Sequence, residues 1–110
     1  MKSMNRVELV GYLGRDPIIY EYADGNAKAV ISLATDKFLP SKEGKLVKRT
    51  QWHSVIVWGK HRIDKFRNHL VTGSHILVNG ELVYQIYADK AGNVRHATEI
   101  HVDSLVDLDR

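Results

Sequence analysis

Apolar and polar residues alternate from the start of the chain, with Val7, Leu9, Gly11 and Leu13 on one side of an extended segment and Arg6, Glu8, Val10 and Tyr12 on the other. A period of two is the mark of a half-buried strand, so residues 5–14 are predicted as the first β-element. Arg15-Asp16-Pro17 interrupts it, a short extended stretch runs on through Tyr22, and Ala23-Asp24-Gly25-Asn26 carries the residue types of a chain reversal. A second strand is predicted over Lys28 to Lys37. Pro40-Ser41-Lys42-Glu43-Gly44 punctuates the chain again, and the β-branched and aromatic content of Val47 to Trp58 predicts a third.

The period then changes. Ile63, Phe66 and Leu70 recur at spacings of three and four between Gly59 and Gly73, with Arg62, Asp64, Lys65, Arg67 and Asn68 between them. This predicts a short amphipathic helix, with Gly73 placed to end it as a left-handed cap. Strand composition returns from His75 to Tyr87, Asp89-Lys90-Ala91-Gly92-Asn93 supplies a turn, and Val94 to Val102 completes five strands. No repeat, linker or low-complexity tract divides residues 1–110, which are read as one domain. An all-β chain of three strands, one helix and two strands suits a five-stranded Greek-key barrel with its helix between strands 3 and 4. Such barrels serve many ligands, so function has to be sought in side chains.

The segment Lys48 to Lys60 is the most informative. Alternation puts Gln51, His53, Val55 and Val57 on one face of the third strand and Trp52, Ser54, Ile56 and Trp58 on the other. One reading buries both tryptophans in the core. However, Val55 and Val57 already supply an interior face, so the face bearing the indoles and Ile56 is expected to look outward, toward a ligand or another subunit. At ~3.3 Å per residue the indoles stand about 20 Å apart, a span that suits several flat rings, and every nucleic-acid base has a π-face.

Charge supports that choice. Lys37, Lys42, Lys45, Lys48 and Arg49 face a single acid, Glu43, between residues 37 and 49, although 16 Lys and Arg against 13 Asp and Glu leave only +3 overall. Aromatic groups grip bases while cations neutralise phosphates. Lys37, Lys45, Lys48, Arg49 and Lys60 are therefore the candidate phosphate partners. Phe38 and Tyr87 are further aromatic candidates beside loops, with Tyr84 replacing Tyr87 if a bulge shifts the register.

Other chemistry finds little support. The 110 residues include no cysteine, which removes thiolate metal sites, disulfides and cysteine nucleophiles. Gly59-Lys60 lacks the upstream glycine and following Ser/Thr of a phosphate-binding loop, and the six histidines show no metalloprotease spacing. Neither catalysis nor a cofactor or metal is expected. No apolar run approaches the ~20 residues of a membrane helix, and the start lacks a secretory signal, so a cytoplasmic setting is expected.

Asn5-Arg6-Val7 with Leu9, Gly11, Leu13-Gly14 and Asp16-Pro17, then Leu33-Ala34-Thr35, Thr50-Gln51-Trp52-His53 and Trp58-Gly59-Lys60, and finally Gly73-Ser74, Gly80-Glu81-Leu82 and Thr98-Glu99-Ile100 form an ordered set. In this set the chain resembles the bacterial and mitochondrial single-stranded DNA-binding proteins, from about Met4 to Leu108. The resemblance implies an oligonucleotide-binding (OB) barrel, usually a homotetramer, that coats single-stranded DNA with little sequence preference during replication, recombination and repair. It implies base stacking on Trp52, Trp58 and Tyr87, a fourth position at Phe38 or Leu39, and a subunit contact at His53, for which a barrel-lining role is the alternative. Bacterial members usually continue into a long disordered tail with an acidic tip that recruits other enzymes. This chain stops at Asp107-Leu108-Asp109-Arg110, so recruitment by that route is not expected. A bacterial setting is expected over a mitochondrial one. A primosomal protein of similar fold, acting as a bridging dimer, is the alternative reading.

Overall fold

The computed structural model describes residues 2–110. Its elements in chain order are β1 (Val7–Leu13), β2 (Ile18–Glu21), β3 (Ala27–Pro40), β4 (Leu46–Trp58), α1 (Lys60–Asp64), β5 (His75–Ala88) and β6 (Val94–Asp107). The expected five strands are present, and the short stretch before the first reversal joins them as a sixth, β2, which among the described residues pairs only with β3. Strands run β1-β5-β6-β4-β3, and β1 closes onto β3 through Tyr12↔Ala34 and Leu13↔Leu33 to make a five-stranded barrel. All pairings are antiparallel except β4 with β6.

Alternation determines what fills the barrel. Leu13 of β1, Ala29, Ile31 and Leu33 of β3, Val55 and Val57 of β4, Ile76 and Val78 of β5, and Ile100 and Val102 of β6 are buried together. Removing their apolar surface from water is the main term that holds the strands in register. Ile63, Phe66 and Leu70 join the same cluster from the segment between β4 and β5.

That segment departs from the expected helix. Only Lys60–Asp64 is α-helical; beyond it Arg67 N–H still donates to Ile63 O and Leu70 N–H to Phe66 O, but the chain proceeds as successive turns. Its start contributes little stability, since Gly59 provides no side-chain cap and no acid occupies the first turn. Five residues cannot hold a helix unaided, so barrel packing keeps the three apolar side chains in place. Nor does Gly73 cap the helix. It occupies the third position of a turn closed by Ser74 N–H on Val71 O, where its φ of +89° is one that glycine adopts without strain.

Strands β3–β4 and β5–β6 run past the barrel as two fingers, paired out to Pro40↔Leu46 and Ala88↔Val94. They raise the radius of gyration to 16.3 Å, against about 13 Å for a compact chain of this length. Strand β6 is also longer than expected. Its last residues rejoin β5 after a bulge at Asn79/Gly80, where the pairing passes over Asp103.

Candidate nucleic-acid interface

Register brings the outer faces of three strands together. Trp52, Ser54, Ile56 and Trp58 of β4 lie opposite Ala34, Ser32, Val30 and Lys28 of β3, and Val30 and Lys28 lie opposite Ile18 and Tyr20 of β2. Both indoles are open as expected, Trp52 at 61% of its full exposure and Trp58 at 39%. Ile56 corrects the expectation, being only 2% exposed. It stands in the row Ile18–Val30–Ile56, a narrow apolar strip outside the barrel interior.

Each indole has a defined setting. Trp52 lies against Gly14, which leaves no room there for a methyl group. Beside it is a shallow hollow of about 180 Å³ lined by Arg15, Ser32, Trp52 and Ser54 among others. Trp58 is stacked on Tyr22, with ring centres 6.3 Å apart and planes 20° from parallel, and the Lys28 ammonium lies 5.4 Å from the centre of its ring. A larger hollow of about 480 Å³ lies behind α1, with Arg62, Lys65, His69 and Arg110 alongside Asp103 and Asp107, and takes in neither indole.

The other expected positions divide between faces. Phe38 and Lys48 are cross-strand partners on the finger extension of the indole face, and Phe38 is exposed. Leu39, its alternative, points to the opposite face and is half-buried. Lys37 and Arg49 also pair with each other on that opposite face, because each is one residue out of phase with the tryptophans. Lys45 lies in the turn at the fingertip, and Lys60 opens α1 next to Glu21. Tyr87 is exposed on the second finger opposite Arg95, while Tyr84, three residues earlier, faces the other way with Ile86. The β5–β6 register is regular there, so no bulge exchanges the two tyrosines.

His53 lies at the root of the first finger, opposite Leu33, with its Nε2 2.8 Å from Thr35 Oγ1. Partial burial disfavours its charged form and lowers its pKa from the ordinary 6.5. Among the described residues no three His, Asp or Glu side chains gather closely enough to hold a metal ion, and no helix is long and apolar enough to cross a membrane.

Residues absent from the expected set are Tyr20, Tyr22, Lys28 and Gly14. The alternation of Ile18, Tyr20 and Tyr22 was a signal for the first two, hidden by the brevity of β2; Lys28 and Gly14 matter only through strands distant in sequence.

The comparisons with known proteins agree with this geometry. The "Single-stranded DNA-binding protein 1" of Chlorobaculum tepidum is 35% identical over 100 residues, covering 90% of this chain, and the chain spans 61% of that relative's length. The mitochondrial single-stranded DNA-binding protein of Danio rerio is 34% identical over 113 residues, covering 97% of this chain and 77% of its own. The solved Plasmodium falciparum SSB complex with ssDNA superposes with a TM-score of 0.87 at 27% identity, over 98% of this chain and 97% of that one. With residues 4–108 matching its sequence model from end to end of the barrel, the chain belongs to the single-strand binding protein family.

Proposed function

We propose that this chain is a non-enzymatic protein that binds and protects single-stranded DNA, with little sequence preference, during replication, recombination and repair. The observation that carries the reading is the pair of open indoles on one outward face beside cations. Flat rings offer each base a stacking surface whatever its identity, which accounts for tolerance of sequence. Trp52, Trp58, Phe38 and Tyr87 are assigned to bases. Lys48 and Lys60 are assigned to phosphates near the indoles; Lys45, Lys37 and Arg49 serve a strand passing round the fingertip to its second face. The membership of the family and the ssDNA bound to the Plasmodium falciparum relative support the assignment.

A homotetramer with His53 in a subunit contact is part of this reading, as is a bacterial cytoplasmic setting. Titration with poly(dT) tests the central claim. Tryptophan emission is expected to quench, log affinity to fall with log salt by about 0.7 per phosphate neutralised, and Trp52→Ala and Trp58→Ala each to lose ~1–3 kcal/mol of binding while remaining folded. Unchanged emission at saturating poly(dT) would refute it. Solution mass tests the tetramer separately.

A further inference from the structure

The outer face carries a cluster of which the stacking assignments use only Trp58. Trp58, Lys28 and Tyr20 form one row across β4, β3 and β2, because Lys28 is the register partner of both. The Lys28 ammonium lies 5.4 Å from the centre of the Trp58 ring and 5.6 Å from that of Tyr20. Among the described residues Lys28 makes no ion pair, so its charge is offset only by the two π-faces. Tyr20 is 48% exposed and lies outside the barrel's apolar cluster, as do Lys28 and Trp58. Tyr22, stacked on Trp58, steadies the indole from beside the row.

Two open rings flanking one unpaired ammonium match the chemistry of two nucleotides and the phosphate that joins them. Neighbouring strands are about 4.8 Å apart, so the outer members of the row are separated by roughly 10 Å, with the cation between them. A phosphate bears a full negative charge and holds an ammonium more strongly than an aromatic quadrupole does, so Lys28 can turn from the rings to the backbone when a strand arrives. We infer that Trp58, Lys28 and Tyr20 form a dinucleotide station: one base stacks on Trp58, the linking phosphate meets Lys28, and the next base stacks on Tyr20. The station directs the strand sideways across β3 toward the β2 edge. It rests on the single-stranded DNA reading and adds Tyr20 and Lys28 to the contact surface.

Poly(dT) titrations of the full chain across a salt series, with thermal unfolding of each variant, test it. Tyr20→Leu is expected to weaken binding by about 5- to 150-fold, the equivalent of one lost stack, without changing the salt slope. Tyr20→Trp, which restores a flat ring, retains the affinity. Lys28→Gln reduces the slope by about 0.7, the signature of one lost phosphate contact. If Tyr20→Leu fails to fold, the Lys28→Gln slope decides alone. Binding by the unmodified chain together with wild-type affinity and slope in both Tyr20→Leu and Lys28→Gln overturns the station and leaves the wider reading intact. Absence of binding by the unmodified chain overturns both.

Discussion

A Cβ added to Gly14 would clash with the Trp52 indole, and one added to Gly11 with the Ala34 carbonyl oxygen. The two contacts have different consequences because an exposed side chain can swing away and a paired backbone cannot. Gly14→Ala is expected to displace Trp52, shift the emission spectrum and cost poly(dT) affinity up to the ~1–3 kcal/mol of one stack, with unfolding nearly unchanged. Gly11→Ala should instead push apart the β1–β3 closure and destabilise the fold by about 1–3 kcal/mol, measurable by denaturant unfolding. The exposure of Trp52 and Trp58 was legible in the alternation of β4, since Val55 and Val57 had already claimed the interior. The need for glycine at positions 11 and 14 was not, because the atoms that exclude a side chain belong to β3 and β4. Ile56 was misread for a related reason: a residue on the outward face is exposed only if its neighbours in the row leave it so.

At the scale of elements, one turn design closes three hairpins. Tyr22–Asn26, Ser41–Lys45 and Asp89–Asn93 each have the first N–H donating to the fifth carbonyl, and the fourth residue, a positive-φ glycine, donating back to the first. This is the arrangement of a type I turn followed by a glycine bulge, which suits the twist of antiparallel strands. Side chains hold the two fingertips unequally. Asp89 Oδ1 accepts Ala91 N–H at 3.0 Å and Asn93 N–H at 2.9 Å, and Oδ2 accepts Arg95 Nε–H at 2.9 Å. Ser41 Oγ accepts Glu43 and Lys45 N–H at only 3.3 and 3.2 Å. Asp89→Ala is therefore expected to speed amide exchange at Ala91 and Asn93 while Ile76 and Val78, in the core, exchange as before; equal acceleration throughout would mean that the fingertip and barrel open together. The turns were legible because glycine and its polar neighbours act locally. The helix was half legible: its apolar spacing survives in the buried Ile63, Phe66 and Leu70, but that spacing does not tell a continuous α-helix from the successive turns that follow Asp64.

At the scale of the whole molecule, the order of strands and helix was readable, and with it the five-stranded barrel, but the pairings that close the barrel were not, since β1–β3 and β4–β6 join segments far apart in the chain. Long-range closure also makes global stability sensitive to groups at the junctions, and His53 is one, set where the first finger leaves the barrel. Its folded pKa lies below the ordinary 6.5, so the unfolded chain binds the proton more readily. The stabilisation associated with neutral His53 is complete above about pH 6.5 and is lost as pH falls through the interval below it. The hydrogen-bonded carboxylates act in a lower window. Asp16, bonded by Thr72, Glu21, bonded by Arg67, and Asp89, bonded by Arg95, all lie below their ordinary values of 3.8, 4.5 and 3.8, so what they contribute persists until pH drops through the carboxylate range. Thermal midpoints measured from about pH 7.5 downward should therefore fall in two stages, and His53→Gln, which retains a hydrogen-bonding partner for Thr35, should abolish the first while leaving the second. An upper stage that persists in His53→Gln would assign the sensitivity to another histidine. Its disappearance would show that one imidazole at the root of the indole-bearing finger couples the finger's attachment to proton concentration.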